Sequence, residues 1–273
     1  MRLCRLHPAS SSQHAGSQVW FTRAVVLHRG DRLNVILEIG VDHRQRQRPA
    51  YERGIMKPPV FNRTEHVYRN DAFAELVKDA VRFFNGTPVL SLPPPIQFLG
   101  TGVYAIYYIG QHPLYLRYAQ LNRLDYRFPI YVGKAVPAGW RQSRTADNPL
   151  SQSNELFRRL GEHARSIGAV NDLTICDFMC RFVIFEQAGS DMISTIEAAL
   201  IKLNRPLWNT AVDGFGNHDP GSGRYEQAKS DWDVIHSGRS WAAKCNGRPK
   251  TLDAIKKNID AHMVGIRGRD EIG

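Results

Sequence analysis

GVYAIYYIGQHPLYLRYAQLNRLDYRFPIYVGKA, residues 102–135, decides the fold. Its two ends, GVYAIYYIG and PIYVGKA, are rich in β-branched and aromatic residues and bounded by Gly and Pro, which predicts two neighbouring strands joined by residues 111–128. Each strand carries a tyrosine near a glycine: Tyr104 after Gly102, and Tyr131 before Gly133. Glycine in a strand lets a second backbone or a phosphate approach closely. Two strand tyrosines are by themselves ordinary packing residues. A basic helix and a carboxylate-bearing helix further along the chain give them meaning.

The basic helix is Ser153 to Ile167, whose helical period turns Leu156, Leu160, Ala164 and Ile167 inward and sets Arg159 and His163 four apart on the adjoining stripe. Read alone, that stripe is more readily an ordinary surface ladder with Glu155 as ion-pair partner. TICDFMCRFVIF, residues 174–185, predicts a third strand buried on both sides. A helix capped by Ser190 then runs through Leu203, with Ile193, Ile196, Leu200 and Leu203 as its core face and Glu197 at the edge of that face. A carboxylate there is costly unless an ion pair or a bound cation compensates it. A hard divalent ion suits one carboxylate together with water and phosphate oxygens.

These residues resemble the GIY-YIG nuclease superfamily. G-V-Y and Y-V-G look like the two halves of its signature, with Val for Ile in each, and Arg159, His163, Glu197 and Asn209 follow in the family's order. The similarity is greatest to the type II restriction endonucleases that cut CCGCGG, over residues 56 to about 245. It implies an α+β fold: a small central antiparallel sheet of three strands flanked by helices, with an inserted segment and additions at both termini. It also implies roles. Tyr104 takes a proton from water once His163, or charge from Lys134 and the metal, draws off its own; Arg159 holds a nonbridging phosphate oxygen; Glu197 anchors one Mg²⁺; Tyr131 orients phosphate or water; Asn209 braces the site. The implied partners are double-stranded DNA, a second copy of the chain and a cognate cytosine methyltransferase. On the residues alone, a structure-specific repair or recombination nuclease and a non-catalytic DNA-binding protein stay open.

Composition limits the classes. With 273 residues, 42% hydrophobic and 10% aromatic, the chain can bury a sizeable core, and no apolar run is long enough to span a bilayer. Arg2, Arg5 and His7 lead into no apolar stretch, so the expectation is a soluble, cytoplasmic protein without a membrane partner. A net charge of +10 suits a polyanionic partner. Cys4, Cys176, Cys180 and Cys245 are too scattered for a zinc cluster or disulfide framework and read as small core residues.

The chain falls into an extension (1–55), a helix with a Pro-rich connector (56–98), the nuclease core (99–212) and a Gly-rich loop with a helical part (213–273). In the extension all nine basic residues are Arg, and two strand-like runs, VWFTRAVVL and LNVILEIGV, flank HRGD. It reads as a hairpin with an Arg-rich arm, or as sequence upstream of a true start at Met56. NDAFAELVKDAVRFF, residues 70–84, predicts a helix with Phe73, Leu76, Val77, Ala80 and Phe84 on one face, and LSLPPP an extended connector. Tyr115, Arg117, Tyr118, Arg123, Tyr126 and Arg127 in the insert suit DNA contacts or a dimer interface, and equally a solvated helix. Arg141 and Arg144 extend a basic track beside the site. DGFGNHDPGSG, residues 213–223, matches no nucleotide-binding loop; His218 and Arg224 there could read DNA or sit on a flexible surface loop. Trp232 and Trp241 read as packing residues, and the chain beyond Lys250 as a loosely attached basic tail.

Overall fold

The computed structural model describes residues 23–28, 33–38, 60–136 and 153–270. The chain divides into two units, residues 1–67 and 68–273. In the first, β1 (Arg23–His28) and β2 (Leu33–Glu38) form an antiparallel hairpin in which His28 lies opposite Leu33. The strands fall on the two runs that flank HRGD, β1 reaching one residue beyond the first run to His28. Whether the native chain starts at Met56 is a question about residues mostly outside the described set.

The second unit is built on one antiparallel sheet in the order β3-β6-β4-β5, from β3 (Leu90–Ser91), β4 (Thr101–Tyr108), β5 (Tyr131–Ala135) and β6 (Phe178–Phe185). The sheet has four strands where three were expected. Leu90–Ser91, the start of the predicted connector, pairs with Cys180 and Met179 at the far edge. Two-sided burial belongs to β4 and not to β6. Every residue of β4 is buried, because it is flanked by β5 and β6 and covered on both faces, whereas β6 buries only part of its length. The expected start of β6 at Thr174 is instead a 3-10 turn at Ile175–Asp177, which leaves Cys176 exposed while Cys180 and Cys245 are buried.

Strand alternation divides β4 between two cores. Tyr104, Ile106 and Tyr108 join Leu156, Leu160 and Ile167 of α3 (Glu155–Gly168), together with Trp208, Phe215 and Trp232. Val103, Ala105 and Tyr107 face Ile193, Ile196 and Leu200 of α4 (Ile193–Asn204) and Phe84 of α1 (Asp71–Gly86). Two predicted faces are narrower than expected. Phe73 and Leu76 lie half exposed because α1 docks through its C-terminal half, and Leu203 is 59% exposed at the last turn of α4. Ser190 is not a cap: it lies in a 3-10 turn, Gln187–Met192, and its hydroxyl donates to the Phe185 carbonyl.

The insert is folded. A 3-10 turn, Pro113–Tyr115, leads into α2 (Leu116–Leu121), and Tyr115 and Tyr118 are core residues instead of DNA-facing ones. Their hydroxyls meet His236 at 2.5 Å and His262 at 3.0 Å, which satisfies polar groups that would otherwise be costly inside. Of the insert's arginines, Arg123 and Arg127 are exposed and Arg117 is half-buried. The C-terminal segment is likewise no loose tail. After α5 (Leu207–Thr210) and α6 (Asp231–Ile235), α7 (Leu252–Asp270) buries Ile255, Ile259 and Ile266 at helical spacing. No helix among the described residues is long and apolar enough to cross a membrane.

Candidate active site

The strand register places the first tyrosine. Tyr104 on β4 stands directly opposite Gly133 on β5, and its ring lies across that neighbouring position. A Cβ on Gly133 would come within 2.5 Å of the Tyr104 hydroxyl, so only glycine leaves room for the ring. Tyr131 emerges two residues earlier on β5, on the same face, with its ring centroid 6.3 Å from that of Tyr104.

Helix α3 supplies the other half. Its buried stripe is Leu156, Leu160, His163 and Ile167, with Ala164 only half-buried, so the imidazole takes a place in the core stripe itself. His163 Nε2 meets the Tyr104 hydroxyl at 2.6 Å, and both residues are buried. Burial, followed by the charge of Arg159, holds the His163 pKa well below the usual imidazole range. Burial, together with the Tyr131 and Glu197 charges, pushes Tyr104 well above the ordinary phenol value, and burial also raises Tyr131. At neutral pH both partners of this contact are therefore neutral, and in the tautomer that carries its proton on Nδ1 the imidazole Nε2 accepts from the phenol O–H.

Arg159, one turn before His163, aims the same way. Its Nη2 donates to the Gly216 carbonyl at 2.9 Å, its Nη1 donates to Glu162 at 3.0 Å, and it contacts the His218 ring. Glu162 also pairs with Arg158, so the ladder on α3 exists; Glu155 pairs with Arg158 and not with Arg159.

Residues 213–223 are therefore no flexible loop at their start. Phe215 stacks on His163 with centroids 4.7 Å apart and planes at 17°. Gly216 lies so near Tyr131 that a Cβ would stand 2.6 Å from its hydroxyl. Arg239 holds the segment in place by donating to the carbonyls of Gly214, Phe215 and Asn217. It is itself bonded to Asp233 at 2.6 Å and lies between the rings of Trp232 and Trp241. The predicted packing role of Trp232 thus includes holding a cation. Sequence reasoning missed Arg239, Phe215 and Glu162. The available signals were an arginine between two tryptophans and the i,i+3 spacing of Arg159 and Glu162.

The remaining expected residues lie around β5. Lys134 alternates to the α4 face and pairs with Glu197 at 2.5 Å, the two side chains being 22% and 20% exposed. Asn209 clamps the edge strand: its Oδ1 accepts from the Val132 amide and its Nδ2 donates to the Val132 carbonyl, each at 2.8 Å. This pairs backbone groups that an edge strand leaves open, one residue from Tyr131. Arg224 is exposed on the 3-10 turn Ser222–Arg224, away from these direct contacts. Arg141 and Arg144 lie outside the described residues.

A family model described as the Eco29kI GIY-YIG domain matches residues 96–263. The chain belongs to that GIY-YIG family. It is a family of restriction endonucleases, so the chain carries a DNA-cleaving nuclease domain whose substrate is DNA. The match begins at the approach to β4, not at Met56, and runs into α7. No curated protein matches the chain.

GIY-YIG nuclease chemistry as the resemblance implies it includes a divalent metal. The residues present fit a hard dication: Glu197 offers a carboxylate oxygen with solvent access, and its Oε1 has no hydrogen-bond partner among the described residues while Lys134 occupies Oε2.

Proposed function

We propose that this GIY-YIG nuclease is a type II restriction endonuclease that hydrolyses both strands of a palindromic DNA site in the presence of Mg²⁺. The carrying observation is the buried 2.6 Å contact between Tyr104 and His163 with the Arg159 guanidinium beside it. A nucleophilic water needs a base and the phosphate an electrophile, and this arrangement offers both side by side.

Tyr104 accepts the proton of the attacking water as its own proton passes to His163 Nε2. The raised phenol and the depressed imidazole are both neutral before the reaction, so no charge has to be desolvated in advance. An anionic phosphate beside Arg159 offsets the positive charge that opposes an imidazolium at His163. Arg159 grips a nonbridging oxygen with a planar fork that Lys lacks. Tyr131 orients the phosphate, and Asn209 fixes the strand that carries it. Glu197 would hold Mg²⁺, which when bound supplies Lewis-acid stabilisation of the phosphate and the departing 3′ oxygen.

CCGCGG is the site implied by resemblance. A palindrome pairs naturally with a two-fold dimer, and a cytosine methyltransferase would protect the host's own copies. The exposed Arg123, Arg127, His218 and Arg224, with Arg117, Arg141 and Arg144, are the side chains proposed to meet DNA.

Incubating plasmid with protein and Mg²⁺ and sequencing the ends tests the proposal. Discrete fragments with identical ends at a palindrome support it. Nicks confined to branched or damaged DNA would replace it with a repair nuclease, and stable binding without cuts would remove the enzyme reading.

A further inference from the structure

A second polar cluster lies outside the nuclease site. His112 precedes the 3-10 turn of the insert, Asp172 lies in the loop between α3 and β6, and His236 follows α6. Their three nearest ligand atoms lie within 4.8 Å of one another. Asp172 Oδ2 is 2.7 Å from His236 Nδ1 and 3.6 Å from His112 Nε2.

Hydrogen bonding accounts for only part of this arrangement. The His236–Asp172 contact is an ordinary hydrogen bond, but 3.6 Å is too long for one between Asp172 and His112. Nδ1 of this half-buried His112 ring is buried with no hydrogen-bond partner among the described residues, and its Nε2 has only the long contact to Asp172. Such a ring is costly to hold in place, yet it is fixed: it stacks on Tyr115 at 5.0 Å, and its main-chain amide donates to the Tyr108 hydroxyl at 2.6 Å.

We propose that His112, Asp172 and His236 form a zinc site, with water at the fourth position, that ties the insert and the α3–β6 loop to α6. With bonds of about 2.1 Å, ligand atoms in a tetrahedral zinc site stand roughly 3.4 Å apart. The His112–Asp172 separation of 3.6 Å already matches that spacing. The His236–Asp172 pair has to open by roughly 0.7 Å to match it, and Asp172 is free to do so because it is 39% exposed and on a loop. Histidine ligands are oriented by a partner on the second ring nitrogen, and His236 has one: its Nε2 meets the Tyr115 hydroxyl at 2.5 Å. Two imidazoles with one carboxylate select zinc or a similar transition ion over Mg²⁺, which prefers oxygen. The consequence is mechanical. Helix α6 carries Trp232 and Asp233, which hold Arg239 and through it the Phe215 loop. The site does not depend on the nuclease reading.

The test uses the full chain, stripped with EDTA, loaded with Zn²⁺, desalted and assayed for metal content and thermal midpoint. Wild type is expected to retain one zinc per chain and to melt higher with it. Asp172→Asn and His112→Gln, which keep shape and fold, should bind zinc at least tenfold more weakly and lose the zinc-dependent rise. Glu197→Gln should retain zinc, and Co²⁺ should give a tetrahedral spectrum without a thiolate charge-transfer band. Folded wild type that holds no zinc would overturn the proposal. So would zinc kept by both cluster variants, zinc lost in Glu197→Gln, or a thiolate band.

Discussion

On the α3 side of the sheet Tyr104 and His163 are buried and meet each other and aromatic rings, while Arg159 beside them reaches solvent. On the α4 side the Lys134–Glu197 pair keeps about a fifth of its surface in water. One strand, β5, serves both, because alternate residues face opposite ways: Tyr131 and Gly133 toward α3, Lys134 toward α4. The difference matches the chemistry each side can support. A proton passes between a phenol and an imidazole most readily where both are neutral and shielded from bulk solvent, whereas a hydrated dication needs an ionised carboxylate with solvent access.

The largest expected effects separate the two faces. Tyr104→Phe keeps the ring and loses only the hydroxyl, so it should fold and bind DNA, with about 1–3 kcal/mol lost where the His163 nitrogen is left unpaired, while cleaving about 10²–10⁴-fold more slowly. Near wild-type turnover in a single-turnover assay would remove Tyr104 as the base. Glu197→Gln should cause a loss of similar size that added Mg²⁺ does not restore; recovery at raised Mg²⁺ would point to other ligands. Arg159→Lys retains charge without the fork, and should slow cleavage roughly 10–100-fold with DNA affinity little changed. A loss confined to binding would make Arg159 a docking residue.

Much of this division was legible in the sequence. β4 and β5 were marked by β-branched and aromatic runs, and α3 by its apolar spacing. The contacts between distant segments were not. Tyr115 looked like a DNA contact because its hydroxyl partner, His236, lies 121 residues away. The two-residue strand β3 was hidden by the prolines after it, since its pairing is set by β6. The grip of Arg239 on the loop was not legible because three of its acceptors are main-chain carbonyls, which carry no residue identity.

Arg239 also yields the smallest of the graded effects on rate. Arg239→Lys replaces a buried fork with a single ammonium, so it should cost about 2–3 kcal/mol of stability in a denaturant titration. It should slow cleavage only severalfold at temperatures where the variant stays folded, because it acts through the loop that positions Phe215 and Gly216. Unchanged stability would mean that the loop is held by other contacts.

If His163 receives the proton that Tyr104 gives up, the single-turnover cleavage rate of His163→Gln, followed against pH at saturating protein, will show it. His163 in the wild type sits below the ordinary imidazole pKa of 6.5, so it is neutral at pH 7 and loses its acceptor role only as the pH falls beneath that value. Wild type should therefore show an acid limb below pH 6.5, and the variant should cleave about 10²-fold or more slowly with that limb gone. A variant that cuts at the wild-type rate, or keeps the same acid limb, would contradict the account.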